Sequence, residues 1–341
     1  MPIEQQIDVS IIIPAFNRLW CLPKAVASCR DSAVSVEIIV VDDGSSDGTW
    51  EWLSAQKDVV ALMQENWGKG WAVNRAFAQS RGEYVRFLDS DDWLLPEANA
   101  KQIAVARSKD ADVVVAGYEV RDGAEQLIKQ CPWTECDDFI AQQLGECDSS
   151  HYSAYLFRRS FLAAIPHREE FSPRDDRAFV LEVALEGPRV AVCSEPVLAH
   201  RHHSQDRLQF PKGMRAVATN LRHLMLYRKI LGRLESRGDL TPRRKRAACR
   251  ILWPLAHWMA YSHPDEAYEV AEWVVELDPQ FCAPESGMLG VLYRRIGFRK
   301  TELLLRFRRN FLRLFEPKTP AGNLDSQDPT HVEPGGSIRN S

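Results

Sequence analysis

The chain has 341 residues, 45% of them apolar, which is enough to fill one large core with an extension or two modest ones. A formal net charge of −4 argues against a nucleic-acid binder, which needs a net basic surface to displace counterions from phosphates. The 8 cysteines show no CxxC pair or zinc-type spacing and read as reduced, mostly buried thiols.

Met1 to Asp8 lacks a basic segment followed by an apolar one, so no secretion signal is expected. Apolar stretches such as 112–116 and 251–261 fall short of the roughly 20 residues that cross a bilayer. Cytoplasmic residence is the expectation.

In chain order, Val9 to Pro14 is a β-branched run, Leu22 to Arg30 is helix-compatible, and Glu37 to Val41 is a second strand. The turn-rich loop Asp42 to Thr49 leads into a helix over Thr49 to Gln56. Val59 to Met63, Gly70 to Ser80 and Tyr84 to Leu88 continue as strand, helix and strand. This alternation predicts a parallel, doubly wound α/β sheet, in which ligands gather beyond the carboxyl ends of the strands.

A further helix from about Pro96 precedes a strand at Ala111 to Gly117. The pattern then loosens, with strands expected at Tyr155 to Arg158 and Val190 to Val192. From about Lys212 to Glu316 it is helical, interrupted by Pro242, Pro254 and Pro264. The tail beyond Pro317 is rich in Pro, Gly, Ser and Asn and reads as disordered. The expected domains are 1–210, with one half over 8–117 and a second over 118–210, then a helical extension over 211–316 and the tail 317–341.

The strongest chemical signal is Asp89-Ser90-Asp91-Asp92, three carboxylates directly after a buried strand. Crowded like charges need a cation or donors to offset their repulsion. Oxygen ligands of this kind suit Mg²⁺ or Mn²⁺ held together with a diphosphate. A solvated loop capping the next helix through Asp92 is the plainer alternative. Asp42 and Asp43 also follow a strand, where acids accept hydrogen bonds from a nucleobase or ribose, or simply form an Asx turn.

Ser10 to Arg18, Val41 to Thr49, Asn66-Trp67-Gly68-Lys69-Gly70, Gly82-Glu83-Tyr84 and Leu88 to Asp92 together resemble family-2 glycosyltransferases in order and spacing. The resemblance implies a GT-A fold, Rossmann-like and mainly parallel, with the helical C-terminal extension added to it. It also implies a nucleoside-diphosphate-sugar donor, UDP-linked by preference, and inversion at the anomeric carbon. Pro14, Ala15 and Asn17 would line the nucleotide pocket and Asp43 would hold the base. Asp89 and Asp91 match the family's DXD motif, with Asp91 on the metal and Asp89 on the ribose or, through water, the metal.

Inversion needs a general base for the acceptor hydroxyl. Asp175-Asp176 stands where the family places an acidic pair, making Asp176 the first candidate and Asp175 the second. Surface acids at a helix start are the alternative. Arg201 and His203 fall in a segment resembling the family's closing Arg-x-His, with His203 as a metal ligand and Arg201 on phosphate.

Two positions depart from the family: Val73 and Glu182 stand where arginines are common, and Lys69 is expected to supply the missing charge. The acceptor is expected to be a hydroxyl of a glycan or glycolipid. A sugar-nucleotide pyrophosphorylase fits less well, because Pro14-Ala15-Phe16-Asn17 is not its Gly-rich loop; an inactive glycosyltransferase-like binding module is the third reading. Residues 298–315 form a basic amphipathic helix, suited either to peripheral contact with the inner face of a membrane or to packing on the protein.

Overall fold

The structure is a computed structural model that describes residues 6–202 and 214–313. It divides into two compact units, Met1–Ile251 and Leu252–Ser341. His203 and the tail 317–341 lie outside the described residues.

The first unit begins with β1 (Val9–Ala15), α1 (Leu22–Cys29), β2 (Val36–Asp42), α2 (Thr49–Ser54), β3 (Val60–Met63), α3 (Lys69–Gln79) and β4 (Tyr84–Phe87). It continues through β5 (Trp93–Leu94), α4 (Ala98–Ser108), β6 (Val113–Arg121), β7 (Leu127–Cys131), α5 (Phe139–Leu144), β8 (Leu156–Arg158), α6 (Asp175–Leu185), β9 (Val190–Arg201) and α7 (Met214–Ser236). A helix α8 (Pro242–Met259) runs into the second unit, which adds α9 (Pro264–Leu277) and α10 (Gly287–Arg313).

Among the described residues the sheet has nine strands in the order β3-β2-β1-β4-β8-β6-β9-β5, with β7 beside β6. The expected parallel pairing holds for β3, β2, β1 and β4. Beyond them the sheet is mixed, since β8 is antiparallel to both β4 and β6.

Side chains of a strand alternate between faces, so a sheet covered on both sides is apolar at every position. Val9, Ile11 and Ile13 of β1 pack with Leu22 and Val26 of α1 and Ile103 of α4 on one face. Ile12 joins Ile39, Val41, Ala72, Val73, Phe87, Phe157 and Phe179 on the other. Burying each such Val, Ile, Leu or Phe contributes about 1.5–3 kcal/mol.

β9 is much longer than the expected Val190 to Val192. It runs parallel to β6 from Val190, shifts register between Ala116 and Tyr118, and resumes with Tyr118 opposite Leu198. Its last turn of strand pairs antiparallel with β5, placing Ala199 opposite Trp93. The irregularity around Pro196 hides this continuation from a search for unbroken β-branched runs.

The helical region forms as expected, with one correction. Pro242 and Pro264 are the first residues of α8 and α9, where a missing N–H is harmless, but Pro254 stays inside α8 rather than interrupting it.

Within the second unit, α8, α10 and the segment between α9 and α10 bring together a polar cluster. His257 Nε2 lies 3.0 Å from Glu285 and its Nδ1 3.2 Å from Glu302. Trp253 Nε1 donates to Glu285 at 2.8 Å and the Tyr293 hydroxyl to Glu302 at 2.6 Å. Burial alone would lower the His257 pKa, but the two carboxylates outweigh it and hold it at about 9.

A histidine raised in the folded state stabilises fully below its unfolded value, near 6.5, and loses that contribution as pH climbs through about 9. Hydrogen exchange in α10, corrected for intrinsic rates, should therefore lose protection between those pH values in the wild type. In His257→Asn it should be weaker and flat. A flat wild-type profile would contradict this account.

Candidate active site

The carboxyl ends of β1, β2 and β4 converge on one edge, and the loops leaving them are tied together. Asn17, held at φ +53°, donates its backbone N–H to Ser45 Oγ at 2.8 Å and accepts from the Ser46 amide at 2.8 Å. Asp47 accepts from the Leu19 amide at 3.1 Å. Pro14 and Ala15 close β1 beneath this lacing.

Asp42 is fully buried, with one oxygen on Ser45 and the other without a hydrogen-bond partner among the described residues. Burial pushes its carboxyl above the ordinary range, with Ser45 opposing. Asp43 is pinned instead: it accepts from Gln64 Nε2 at 2.8 Å and from the amides of Trp67 and Gly68, both at 3.0 Å. Gly68 sits at φ +103°, a conformation other residues rarely adopt, and this aims its amide at the carboxylate.

That turn delivers Lys69, the first residue of α3, into the acidic cluster. Its Nζ is 2.7 Å from Asp89 Oδ1, and both side chains are largely buried. Burial would raise the Asp89 carboxyl, but the ammonium outweighs it and holds it at about 2. Lys69 feels Asp89, Asp175 and Asp176 together, and they keep it above the ordinary lysine value despite desolvation.

Asp89 is also positioned through its amide, which donates to Ser153 Oγ at 3.1 Å. Beneath it, the fully buried Arg86 donates to the Ser153 carbonyl at 3.1 Å and to Asn99 and Gln102 of α4. With only neutral acceptors, desolvation pulls its pKa down to about 10.

Asp175 and Asp176 occupy the first turn of α6, where the helix dipole favours acids. Asp175 is buried with Oδ2 lacking a hydrogen-bond partner among the described residues, whereas Asp176 is half-buried and accepts from the Arg177 amide at 2.6 Å. Burial raises Asp175 to about 6, Lys69 opposing and Asp176 adding to the shift.

The third acid of the turn has a role that sequence reasoning gave only to a helix cap. Asp92, buried to 1% exposure, accepts from the Arg201 amide at 3.0 Å and meets His200 Nδ1 at 3.0 Å. His151 Nδ1 stands 3.8 Å from its other oxygen. Among the described residues, Asp92, His151 and His200 form the group whose ligand atoms converge, all within 4.8 Å. Neither Asp89 nor Asp91, the expected ligands among the described residues, belongs to it. Asp92 latches the end of β9 onto the acidic turn; Arg201 in turn donates through Nε to the Asp91 carbonyl at 3.1 Å and lies 4.8 Å over the Trp93 ring.

Both departures from the sequence pattern have structural explanations. Val73 is fully buried in the core beneath α3. Glu182, 4% exposed, bridges Arg168 and Lys229, each at 2.8 Å, and so fastens α7 to α6.

A mixed sheet whose parallel half ends in an acidic turn, flanked by helices, is the GT-A class of fold. Residues 10–163 match the model of Glycosyl transferase family 2. The chain is 25% identical over 252 residues to the putative glycosyltransferase EpsH of Bacillus subtilis, covering 65% of this chain and 70% of EpsH. It is 32% identical to the succinoglycan biosynthesis protein ExoO of Rhizobium meliloti, covering 60% and 63% respectively. Identity to the undecaprenyl-phosphate 4-deoxy-4-formamido-L-arabinose transferase of Pectobacterium carotovorum is 30%, over 48% of this chain and 53% of that one.

Among solved structures, S. aureus TarS 1-349 superposes with a TM-score of 0.56 at 16% identity, over 89% of this chain and 92% of TarS. Its complex with UDP-GlcNAc gives 0.52. At that identity the likeness is one of fold.

Because Asp175 is raised when folded, its ionisation opposes folding above about 6 and is silent below about 4. Asp175→Asn should therefore stabilise the protein at pH 8 by roughly 1–3 kcal/mol and leave it unchanged at pH 4. Denaturant unfolding at the two pH values measures this, and equal effects at both would contradict it.

Proposed function

We propose that the chain is an inverting, metal-dependent transferase that moves one sugar from a nucleoside-diphosphate sugar, UDP-linked by preference, to a hydroxyl of a glycan or glycolipid. The observation that carries this reading is the Lys69–Asp89 pair, which stands in one electrostatic cluster with Asp175 and Asp176 at the edge where β1, β2 and β4 end.

Asp43 and Asn17 shape the base and ribose end, with Pro14, Ala15 and Asp42 behind them. Lys69 and Arg201 face the diphosphate with positive charge, Arg201 as a planar donor suited to phosphate. Asp176, the more exposed of the pair, takes the proton of the acceptor hydroxyl as its oxygen bonds to the anomeric carbon. The diphosphate leaves from the opposite face, and Lys69 offsets the charge that develops on it. Asp175, buried beside it, holds the local field and is the second candidate base.

The hard carboxylate donors of the acidic turn fit Mn²⁺ or Mg²⁺. Asp91, with Asp89 and His203 as further candidates, would hold the ion, which supplies charge neutralisation at the leaving diphosphate. The nitrogen-rich Asp92, His151 and His200 group fits that role less well, because Asp92 already takes the Arg201 amide and His200.

The UDP-GlcNAc named with TarS supports a UDP-linked donor on this fold, and the names of ExoO and the Pectobacterium relative support polysaccharide or lipid-linked acceptors. Asp91→Asn should abolish metal-dependent donor binding in calorimetry. Asp176→Asn should keep donor binding and cut turnover by about 10²- to 10⁴-fold. Full turnover in Asp176→Asn would move the base to Asp175, and failure of every nucleotide sugar to bind with either metal would overturn the reading.

A peripheral membrane contact at α10 is part of this proposal. No helix among the described residues is long and apolar enough to cross a membrane. After the break at Gly297, Phe298, Thr301 and Glu302 are buried, whereas Leu303, Leu304 and Phe307 on the opposite side are 49%, 53% and 73% exposed. Lys300, Arg306 and Arg308, also exposed, flank them, a pattern that suits an anionic lipid surface on the cytoplasmic side. The full chain should co-sediment with vesicles containing phosphatidylglycerol, and Phe307→Glu should largely release it. Undiminished binding by Phe307→Glu would remove the membrane from the account.

A further inference from the structure

Away from the acidic edge, the two loops that bracket α5 bring two half-buried cysteines to one surface cavity of about 540 Å³, Cys136 before the helix and Cys147 after it. Trp133, Val190 and Val192 supply its apolar wall, and Arg243 of α8 reaches into it.

Arg243 organises this corner. It pairs with Asp137 at 2.6 Å and with both oxygens of Glu146 at 2.8 and 2.9 Å, so it clamps the two loops together. Its Nη2 also lies 3.6 Å from Cys136 Sγ. The same sulfur stands 3.5 Å from Glu146 Oε2 and 3.3 Å from the Asp138 carbonyl, which gives its proton an exit and its thiolate a cationic neighbour.

Cys147 adjoins Cys136 across the clamp; burial first, then the Cys136 sulfur and nearby acids, hold it up at about 11. The guanidinium beside its sulfur assigns the attacking role to Cys136 and leaves Cys147 as the resolving one. Cys131, on β7, instead neighbours Tyr118 and stands outside the pair.

We propose that Cys136 and Cys147 form a redox-closable dithiol, oxidised by a small-molecule disulfide such as oxidised glutathione. The Cys136 thiolate attacks one glutathione sulfur, breaking the glutathione S–S bond and releasing one glutathione thiolate. The Cys147 sulfur then displaces the second glutathione from Cys136. Two protein thiols are oxidised to one disulfide, one glutathione disulfide is reduced to two thiols, and the two thiol protons end on the released glutathione.

The bond would brace a segment that already touches the first turn of α6. Arg177 donates to the Gln143 carbonyl and side chain on α5, and reaches Ser149 two residues past Cys147.

The test oxidises the full chain with glutathione disulfide, blocks free thiols and cleaves after glutamate. Cuts at Glu135 and Glu146 place Cys136 and Cys147 on separate peptides that only a disulfide can hold together. The linked pair should appear on oxidation, vanish on reduction and persist in Cys131→Ser. In Cys147→Ser, a glutathione adduct should accumulate on Cys136. Complete blocking of both thiols after oxidation, linkage through Cys131, or an adduct on Cys147 in Cys136→Ser as abundant as that on Cys136 in Cys147→Ser would each overturn the proposal. None of these readouts depends on donor or acceptor.

Discussion

The ion pair between Lys69 and Asp89 is the contact on which the rest of this architecture turns. Bringing both charges out of water is unfavourable unless each keeps a close partner, and at 2.7 Å each does. The pair joins the start of α3 to the end of β4, so it ties the helix to the acidic turn at the sheet's edge. Asp175 beside it bears the opposite consequence: with the nearby ammonium chiefly committed to Asp89, its own carboxyl is driven upward by burial.

The surroundings serve to hold that pair in place. Asp43 pulls in the turn that presents Lys69, with Gly68 supplying the backbone geometry. Arg86 and Ser153 support Asp89 from below. Asp92 secures the end of β9, and with it Arg201, above. Polar groups fixed before a ligand arrives need no reorganisation during a reaction, and this is how such a site gains over water.

The half over residues 8–117 was legible because its strands are unbroken apolar runs and its polar clusters follow them directly. Boundaries agree within two residues through β4, whereas β6 runs to Arg121, four residues past the expected Gly117. Less was visible where structure depends on partners distant in sequence. β5 has only two residues and exists because β9 pairs with it, and β9 itself is interrupted by a register shift that no local pattern announces.

The same distinction applies to the site. Lys69, Asp89, Asp175 and Asp176 came from local motifs and do gather. His151 carried no signal, because a single histidine in a loop gains meaning only when the fold sets it against Asp92 and His200. Val73 and Glu182 look like lost function in the sequence; in three dimensions one fills the core and the other anchors a helix.

The central claim is that the cluster around Lys69 and Asp89 receives the diphosphate of a nucleotide sugar. A crystal structure with UDP and Mn²⁺ tests it most directly. The account predicts the diphosphate between Lys69 and Arg201, with the ion on Asp91 and the base beside Asp43. Nucleotide bound elsewhere on the protein, with the Lys69–Asp89 edge left to solvent, would contradict it.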